Sequence, residues 1–242
     1  MMSDVAYRLL DPTRPAMGLI VLRVDETIEQ DFRRYIPPGA ARLHVTRVQS
    51  GDNLTPDTIA GMEADLGAAA GLLPPSAGFD VVGYACTSGS AQIGPDRVRA
   101  LVAAGTPTRH VTNPLSAALA AFADRGLGRV GIVSPYVASV AASLRRAFVA
   151  EGVAVPEMLS FGEEVEARVA RIDPRSIAGA ARALAARGGM DAVFLSCTNL
   201  QTYDILPELE AELGLPVLSS NRVLAWHMCR LAGIAAVAGP SR

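Results

Sequence analysis

Two stretches decide the fold, Val81-Val-Gly-Tyr-Ala-Cys86-Thr87-Ser88 and Ala192-Val-Phe-Leu-Ser-Cys197-Thr198-Asn199. Each one has the pattern of a buried strand that ends in Cys-Thr and a small polar residue. About 65 residues earlier, roughly the length of two βα units, another apolar run precedes each of them, Gly18-Leu-Ile-Val in one case and Val130-Gly-Ile-Val-Ser in the other. The sequence therefore predicts two copies of one unit related by an approximate twofold axis. Both cysteines would then lie at equivalent strand ends and face one crevice, where open parallel sheets bind ligands.

Around these stretches, apolar runs of strand length alternate with longer segments of helical period, which indicates an α/β fold. The predicted strands are Met17–Leu22, Arg42–Val48, Val81–Ala85, Thr108–Val111, Val130–Ser134, a weak one near Glu157–Phe161, Ala192–Ser196 and Val217–Ser219. The predicted helices are Pro56–Leu73, Asp96–Ala104, Pro114–Arg125, Val137–Glu151, Pro174–Ala186, Tyr203–Leu213 and Asn221–Ala232. Nearly all strands are expected to be fully buried, and Asp96, Ser116, Asp204 and Asn221 are predicted helix caps.

The composition fits this class. Half of the 242 residues are hydrophobic and only 5% are aromatic, as expected of stacked helices and buried parallel strands. Arg and Lys (22) nearly balance Asp and Glu (24), and the basic residues are scattered, so neither a nucleic-acid nor a membrane partner is expected. No apolar run approaches the roughly 18 residues of a membrane span, and the first residues lack a signal-peptide pattern. We expect a cytoplasmic protein whose three cysteines are thiols.

The two strand-end cysteines suit acid–base chemistry. The N–H groups that follow each strand create positive potential, which should lower a thiol pKa from its usual value near 8.5 and favour thiolate. With the hydroxyls of Thr87, Ser88 and Thr198 and the amide of Asn199, those N–H groups could hold a carboxylate or an enolate oxygen. One thiolate and one thiol on opposite faces would suffice for inversion at carbon. The alternative is that each cysteine is a small buried hydrophobic residue.

The remaining cysteine and the histidines give weaker signals. Cys229 lies in a helical segment without such context, so we expect it to pack in the core. His227, on the same helix, could line the cleft or act as a core or capping residue. His44 and His110 are isolated, and no cluster of ligand-type residues predicts a metal site.

The motifs together resemble the aspartate/glutamate racemase superfamily, in particular its branch of maleate cis–trans isomerase, arylmalonate decarboxylase and ectoine-utilisation racemase-like proteins. The motifs that carry the resemblance are Gly83-Tyr-Ala-Cys86-Thr87-Ser88-Gly89, Thr112-Asn113-Pro114, Arg129-Val-Gly-Ile-Val-Ser-Pro135-Tyr136, Leu195-Ser-Cys197-Thr198-Asn199 and Pro216-Val-Leu-Ser-Ser-Asn221. The resemblance implies two Rossmann-like (flavodoxin-like) subdomains, residues 1–112 plus about 218–242 and residues 113–217, with the active site between them and no cofactor.

The resemblance also implies roles for single residues. In maleate isomerases the residue matching Cys86 looks like a nucleophile and that matching Cys197 like a proton donor or acceptor, whereas amino-acid racemases use both as bases. Arylmalonate decarboxylases keep only the second cysteine, so the presence of both argues against decarboxylation. Tyr136 resembles a family carboxylate ligand.

One departure from the family affects the expected substrate. Asp25-Glu26-Thr27-Ile28-Glu29 stands where maleate isomerases carry an asparagine, and acidic residues among Glu163, Glu164 and Glu166 replace a second one. A carboxylate in the cleft would repel a dicarboxylate and favour an amine, unless these acids only solvate a loop.

The sequence thus predicts a cofactor-independent racemase or cis–trans isomerase of a small carboxylic acid, such as an amino acid or an ectoine-related derivative. Maleate isomerisation proper, decarboxylation of a malonate-like acid and ligand binding without catalysis are the alternatives. Helix surfaces rich in Ala and Leu favour a homo-oligomer, a dimer or a tetramer.

Overall fold

The protein folds into two four-stranded parallel sheets. A computed structural model describes residues 5–10, 13–53 and 55–234. Its strands are β1 (Ala16–Leu22), β2 (Arg42–Val48), β3 (Phe79–Ala85), β4 (Thr108–Thr112), β5 (Val130–Ser134), β6 (Met158–Ser160), β7 (Ala192–Leu195) and β8 (Val217–Ser219). The strand order is β2-β1-β3-β4 in the first sheet and β6-β5-β7-β8 in the second. The order is the same in both halves, so the predicted α/β class and the predicted duplication are confirmed.

Helices connect the strands, as parallel pairing requires. They are α1 (Ile28–Tyr35), α2 (Pro56–Gly71), α3 (Thr87–Ile93), α4 (Pro95–Gly105), α5 (Pro114–Arg125), α6 (Ala138–Ala150), α7 (Glu166–Val169), α8 (Pro174–Ala185), α9 (Leu206–Leu213) and α10 (Ser220–Leu231), with a 3₁₀ turn at Pro75–Ala77. In the three described ranges, no helix has both the length and the apolar character needed to cross a bilayer.

The predicted strands and long helices are present, but the sequence missed α1, α3 and α7. α3 and α7 are short and have few apolar residues at helical spacing. α1 is also short, but Ile28, Phe32 and Tyr35 recur on one buried face, so the sequence did contain a signal for it. The predicted caps are wrong: α5 begins at Pro114 as predicted, so Ser116 lies inside the helix, and α10 begins one residue earlier than predicted, so Asn221 does too. Asn113 and Ser219 cap these two helices, and neither α4 nor α9 has a side-chain cap.

The expectation that nearly all strands are fully buried is wrong for three of the four edge strands, β2, β4 and β6. β1, β5, β7 and β8 are buried throughout, and β3 is buried except at the half-exposed Asp80. In contrast, β2, β4 and β6 each have one hydrogen-bonded neighbour and carry exposed or half-exposed residues. The central strands therefore form the core, and their carboxyl ends are the buried ends that position a site.

Each sheet contributes a helix to the other half. α10 follows β8 of the second sheet but packs on β3 and β4 of the first sheet. The α5 helix follows β4 of the first sheet, and its Phe122 contacts Phe148 of α6 and Phe194 of β7. This exchange joins the two halves closely. The predicted division into residues 1–112 plus about 218–242 and residues 113–217 stays a prediction, and residues 1–4, 11–12, 54 and 235–242 of it lie outside the described residues.

Candidate active site

Cys86 and Cys197 occupy matching positions at the ends of the two central strands. Cys86 follows β3 and caps α3, so that its Sγ accepts a hydrogen bond from the Gly89 N–H at 3.2 Å and lies 3.6 Å from Ser88 Oγ. Cys197 follows β7, and its Sγ accepts from the Asn199 N–H at 3.4 Å. Both are free thiols, 3% and 5% exposed. At each strand end, a buried thiol therefore accepts a hydrogen bond from a backbone N–H group of the turn that follows the strand.

The two strand ends are in direct contact. The hydroxyl of Thr198, which follows β7, donates to the carbonyl oxygen of Ala85 at the end of β3, at 3.3 Å. The Thr87 hydroxyl donates to Ser220 Oγ at 2.8 Å, and the same Oγ accepts from the Cys197 N–H at 3.1 Å. The first turns of α3 and α10 therefore meet between the two sheets. The predicted site residues Thr87, Ser88 and Thr198 are all buried at this junction.

The expectation of a lowered thiol pKa is wrong for this structure. Burial raises the pKa of Cys86 to about 11, and the hydrogen bonds from Ser88 and the Gly89 N–H offset only part of this effect. The pKa of Cys197 is raised well above its usual value, first by burial and then by the negative charge of Glu166, against one lowering N–H from Asn199. Desolvation of a thiolate outweighs one or two hydrogen bonds. Both thiols are therefore protonated at neutral pH with the site in this state.

Tyr136 lies close to both thiols. It follows the Ser134-Pro135 end of β5 and is 1% exposed. Burial, followed by the charges of Cys197 and Cys86, raises the pKa of its phenol well above the usual value. The phenol stays protonated and can donate a hydrogen bond. That is consistent with the predicted role as a carboxylate ligand.

Asn199 joins three parts of the site. Its Oδ1 accepts from the Glu26 N–H at 2.9 Å, and its carbonyl oxygen accepts from the Thr27 hydroxyl at 3.0 Å. Its Nδ2 donates to Glu166 Oε2 at 2.9 Å. The amide predicted to bind substrate is thus engaged by the protein and fixes the loop after β1 against α7.

Asp25 is buried, so it does not merely solvate a loop. It is 4% exposed, and its Oδ1 accepts from the N–H groups of Thr27 and Ile28 at 2.8 and 2.9 Å, which anchors the start of α1. Its Oδ2 is buried and has no hydrogen-bond partner within residues 5–10, 13–53 and 55–234. Burial raises the pKa of Asp25, although the Thr198 hydroxyl and the charge of Arg47 are among the effects that lower it.

Glu166 is a site residue that the sequence left undecided among three glutamates. It is 3% exposed, its N–H donates to the Asp52 carbonyl oxygen at 3.0 Å, and burial together with the charge of Asp25 raises its pKa to about 7. The other two do not join the site. Glu163 pairs with Arg168 and caps the adjacent turn, and Glu164 is exposed. The acidic run of Glu163, Glu164 and Glu166 is visible in the sequence, but only the fold shows that Glu166 is the buried one.

The two buried carboxyl groups line a cavity of about 450 Å³ between the halves. Its lining residues are Arg23, Val24, Asp25, Glu26, Arg47, Asp52, Val165, Glu166 and Ala167. A second cavity of about 320 Å³ lies on the other side of Glu26, next to Arg34 and Asp204. Neither thiol lines these cavities, because both lie deeper, at the strand ends.

The other candidates lie away from this junction. Nδ1 of His227 is 2.8 Å from Thr112 Oγ1 at the end of β4, and burial lowers the pKa of His227 to about 4. Cys229 is in the core, where burial raises its pKa to about 11. His44 packs edge-on against Phe79. Within the described part of the chain, no three His, Cys, Asp or Glu side chains are grouped as metal ligands.

Comparison with known proteins identifies the family. Residues 52–242 match the family described as arylmalonate decarboxylase (Amdase). The chain belongs to this family. Arylmalonate decarboxylase from Bordetella bronchiseptica is 38% identical over 117 residues, which is 48% of this chain and 48% of that protein. The match thus spans about half the length of this curated relative.

Solved structures of the arylmalonate decarboxylase family and of maleate isomerases share the fold. A maleate isomerase Iso variant from Pseudomonas putida S16 with maleate has a TM-score of 0.81 and 21% identity, over 92% of this chain and 93% of that one. A maleate cis–trans isomerase mutant from Nocardia farcinica, with a covalently bound succinylcysteine intermediate, gives 0.83 and 23%, over 91% and 93%. A liganded double mutant of arylmalonate decarboxylase gives 0.83 and 26%, over 93% and 97%. These likenesses confirm the predicted fold, and the family match over residues 52–242 confirms the predicted superfamily.

Proposed function

We propose that this protein is a cofactor-independent isomerase or racemase of a small carboxylic acid, with Cys86 and Cys197 as the reacting groups. The observation that carries the proposal is the matched pair of buried thiols at the ends of β3 and β7, joined by the Thr198–Ala85 contact. Two acid–base groups that approach one carbon from opposite sides are the arrangement that inversion requires.

In racemisation, one cysteine as thiolate removes the proton from the carbon next to the carboxylate. The electron pair moves into an enolate, and the other thiol donates its proton to the opposite face. The protein ends with thiol and thiolate exchanged, so no oxidant or reductant is consumed. The hydroxyl groups of Tyr136 and Ser88 are the donors for the enolate oxygens.

A cis–trans reaction would use the same pair differently. Cys86 as thiolate would add to one carbon of the double bond while the Cys197 thiol gives its proton to the other, and the carbon–carbon bond would rotate as a single bond. Cys197 would then take a proton back from that carbon as the carbon–sulfur bond breaks, which restores the double bond and the Cys86 thiolate. The succinylcysteine intermediate in the Nocardia farcinica relative supports such a covalent route.

The substrate that we propose bears an amine. Asp25 and Glu166 make the entrance acidic, which disfavours maleate and favours an amino acid or an ectoine-related derivative. Asp25→Asn should therefore weaken turnover of an amino-acid substrate. Unchanged turnover, with maleate still inert, would remove the basis for this choice.

Decarboxylation of a malonate-like acid is the second candidate, favoured by the family match over residues 52–242 and by the Bordetella bronchiseptica relative. It needs one thiol to protonate the enediolate left after loss of carbon dioxide. Release of carbon dioxide that survives Cys86→Ser and is lost with Cys197→Ser would favour it.

The main test is exchange of substrate hydrogen with solvent deuterium. Maleate, aspartate, hydantoins and ectoine derivatives are screened first. With the active compound, Cys86→Ser and Cys197→Ser should each abolish exchange, and Cys229→Ser, a core thiol, should retain it. Full activity in either of the first two variants would contradict the two-thiol mechanism. Ligand-induced thermal stabilisation without exchange or carbon dioxide release would instead indicate a binding protein.

A further inference from the structure

Asp25 and Glu166 are two acidic side chains that share one cavity while almost fully buried. They are 4% and 3% exposed, and both line the cavity of about 450 Å³. The charge of Asp25 is among the causes that raise the pKa of Glu166, so the two carboxyl groups are electrostatically coupled. Both approach the same space from opposite halves of the molecule.

In the described part of the chain, the charge of Arg47 lowers the pKa of Asp25 but does not offset the effect of burial. Neither carboxylate forms an ion pair there. The sequence contains no lysine, and the arginines that line the cavity are engaged elsewhere. Arg23 pairs with Asp52, and Arg47 pairs with Glu29 while donating to three backbone carbonyl oxygens.

The unpartnered atom of this pair is Asp25 Oδ2. Its companion Oδ1 is held by the N–H groups of Thr27 and Ile28, which fixes the side chain. The nearby Thr198 hydroxyl donates to the Ala85 carbonyl oxygen. Among the described residues, Oδ2 is a buried acceptor without a hydrogen-bond partner, and such an atom destabilises the fold unless a ligand or water satisfies it.

Buried carboxylates need a counter-charge or a proton. We propose that Asp25 Oδ2 and Glu166 form a binding site for an ammonium group of the substrate, so that this protein acts on carboxylic acids bearing a protonated amine near the reacting carbon. This inference deepens the proposed function and rests on it. An ammonium group offers three N–H donors in a compact volume, which suits two carboxylate acceptors facing each other.

The same site would couple recognition to reactivity. The negative charge of Glu166 is among the causes that raise the pKa of both thiols, and Asp25 adds to this effect at Cys197. An ammonium group between the two carboxylates would offset that charge. Thiolate would then be favoured when a substrate with an amine is bound, and a dicarboxylate without an amine would have the opposite effect.

The test compares the binding of ligand pairs that differ by one amine. Aspartate and succinate, alanine and propionate, and 2-aminobutyrate and butyrate are titrated by calorimetry into the wild-type protein at pH 8. At least one amine-bearing member should bind ten or more times tighter than its partner. Absence of an amine preference in every pair, including absence of binding, overturns the proposal.

Conservative variants test whether Asp25 and Glu166 cause the preference for an amine. In Asp25→Asn the new amide oxygen can still accept from Thr27 and Ile28, and in Glu166→Gln it can still accept from Asn199, so both should fold. Each should reduce the amine preference at least tenfold. Glu163→Gln, three residues from Glu166 and outside the cavity, is the matched control and should leave it unchanged. A preference that survives both cavity variants overturns the proposal.

Two readouts separate this proposal from the proposed function. Calorimetric binding reports on the subsite, and deuterium exchange reports on the thiols. Amine preference without exchange in any compound would leave the subsite standing and remove the isomerase assignment. Exchange with a substrate that has no amine would support the isomerase and remove the subsite.

Discussion

At the scale of single residues, the buried carboxyl group of Glu166 should make the stability of the protein depend on pH. Its pKa is about 7 in the folded protein against an ordinary value of 4.5. Between these values the folded state binds more protons than the unfolded state, so this group lowers the free energy of unfolding as pH rises. Over the full window the loss amounts to about 3 kcal/mol.

Glu166→Gln removes this titration and should therefore stabilise the protein at pH 8 by up to about 3 kcal/mol more than at pH 4.5. Urea unfolding of both proteins at the two pH values measures the difference. Glu163→Gln is the control with the opposite sign. The N–H groups of Val165 and Glu164 and the neighbouring Arg168 lower the pKa of Glu163, so its contribution is present above the ordinary value and lost on acidification. Equal effects of Glu166→Gln at both pH values would contradict the prediction.

The sequence identified the two candidate cysteines of the site, but it did not predict their protonation states. The repeated Cys-Thr pattern is local, so it revealed Cys86 and Cys197 directly from the sequence. The thiol pKa values depend on how much protein covers each strand end and on Glu166, which lies 31 residues before Cys197 in the chain. The favourable N–H groups follow from the local sequence, whereas this burial depends on the tertiary structure.

At the scale of elements, the first turn of α3 holds the Cys86 thiol through a glycine. A Cβ atom at Gly89 would lie 2.4 Å from the Tyr84 hydroxyl and 3.0 Å from Cys86 Sγ. We expect Gly89→Ala to destabilise the protein by roughly 1–3 kcal/mol, as overpacking in a core does. It should also lower any thiol-dependent activity. Urea unfolding measures the first effect.

Two further variants test the cause of this effect. Gly89→Ala combined with Tyr84→Phe removes the closest clashing atom and should recover part of the lost stability, seen as coupling in a double-mutant cycle. Gly61→Ala, on the exposed side of α2 with no atom within 4 Å of its Cβ, should instead stabilise by about 0.5–1 kcal/mol. Additive effects of the first pair would rule out the proposed clash.

The strands and long helices could be read from the sequence because local pattern and tertiary environment agree in them. α3 shows why the short helices could not. Its sequence, Thr87-Ser-Gly-Ser-Ala-Gln-Ile93, has poor helix formers. It is helical because the Cys86 thiol and carbonyl group accept from Gly89 and Ser90, and because it packs against α2 and α6. Contacts that hold such an element come from distant parts of the chain.

At the scale of the whole molecule, the two halves contact each other both near the thiols and at the outer rim of the cavity. Near the thiols, Thr27 contacts Asn199. At the outer rim, Asn53 and Val165 form an isolated antiparallel bridge, and Glu26 pairs with Arg171 at 3.1 Å. The pairing of the halves followed from the sequence repeat. The bridges did not, because each joins one loop of each half and depends on the relative position of the sheets.

The Asn53–Val165 bridge should control access to the cavity lined by Asp25 and Glu166. Residues paired in an antiparallel bridge have Cα atoms about 4.5–5.5 Å apart, which is within the range of a disulfide. In the double variant Asn53→Cys with Val165→Cys, oxidation should form this disulfide first, because the native thiols are buried. The oxidised protein should bind or turn over ligand at least tenfold more slowly, since the rim can no longer separate, and a reductant should restore the wild-type rate.

The two single variants, treated with the same oxidant, show whether oxidation itself causes the loss. Full activity of the disulfide-linked protein, with the bond verified by mass spectrometry, would mean that ligand reaches Cys86 and Cys197 without separation of the halves at this bridge.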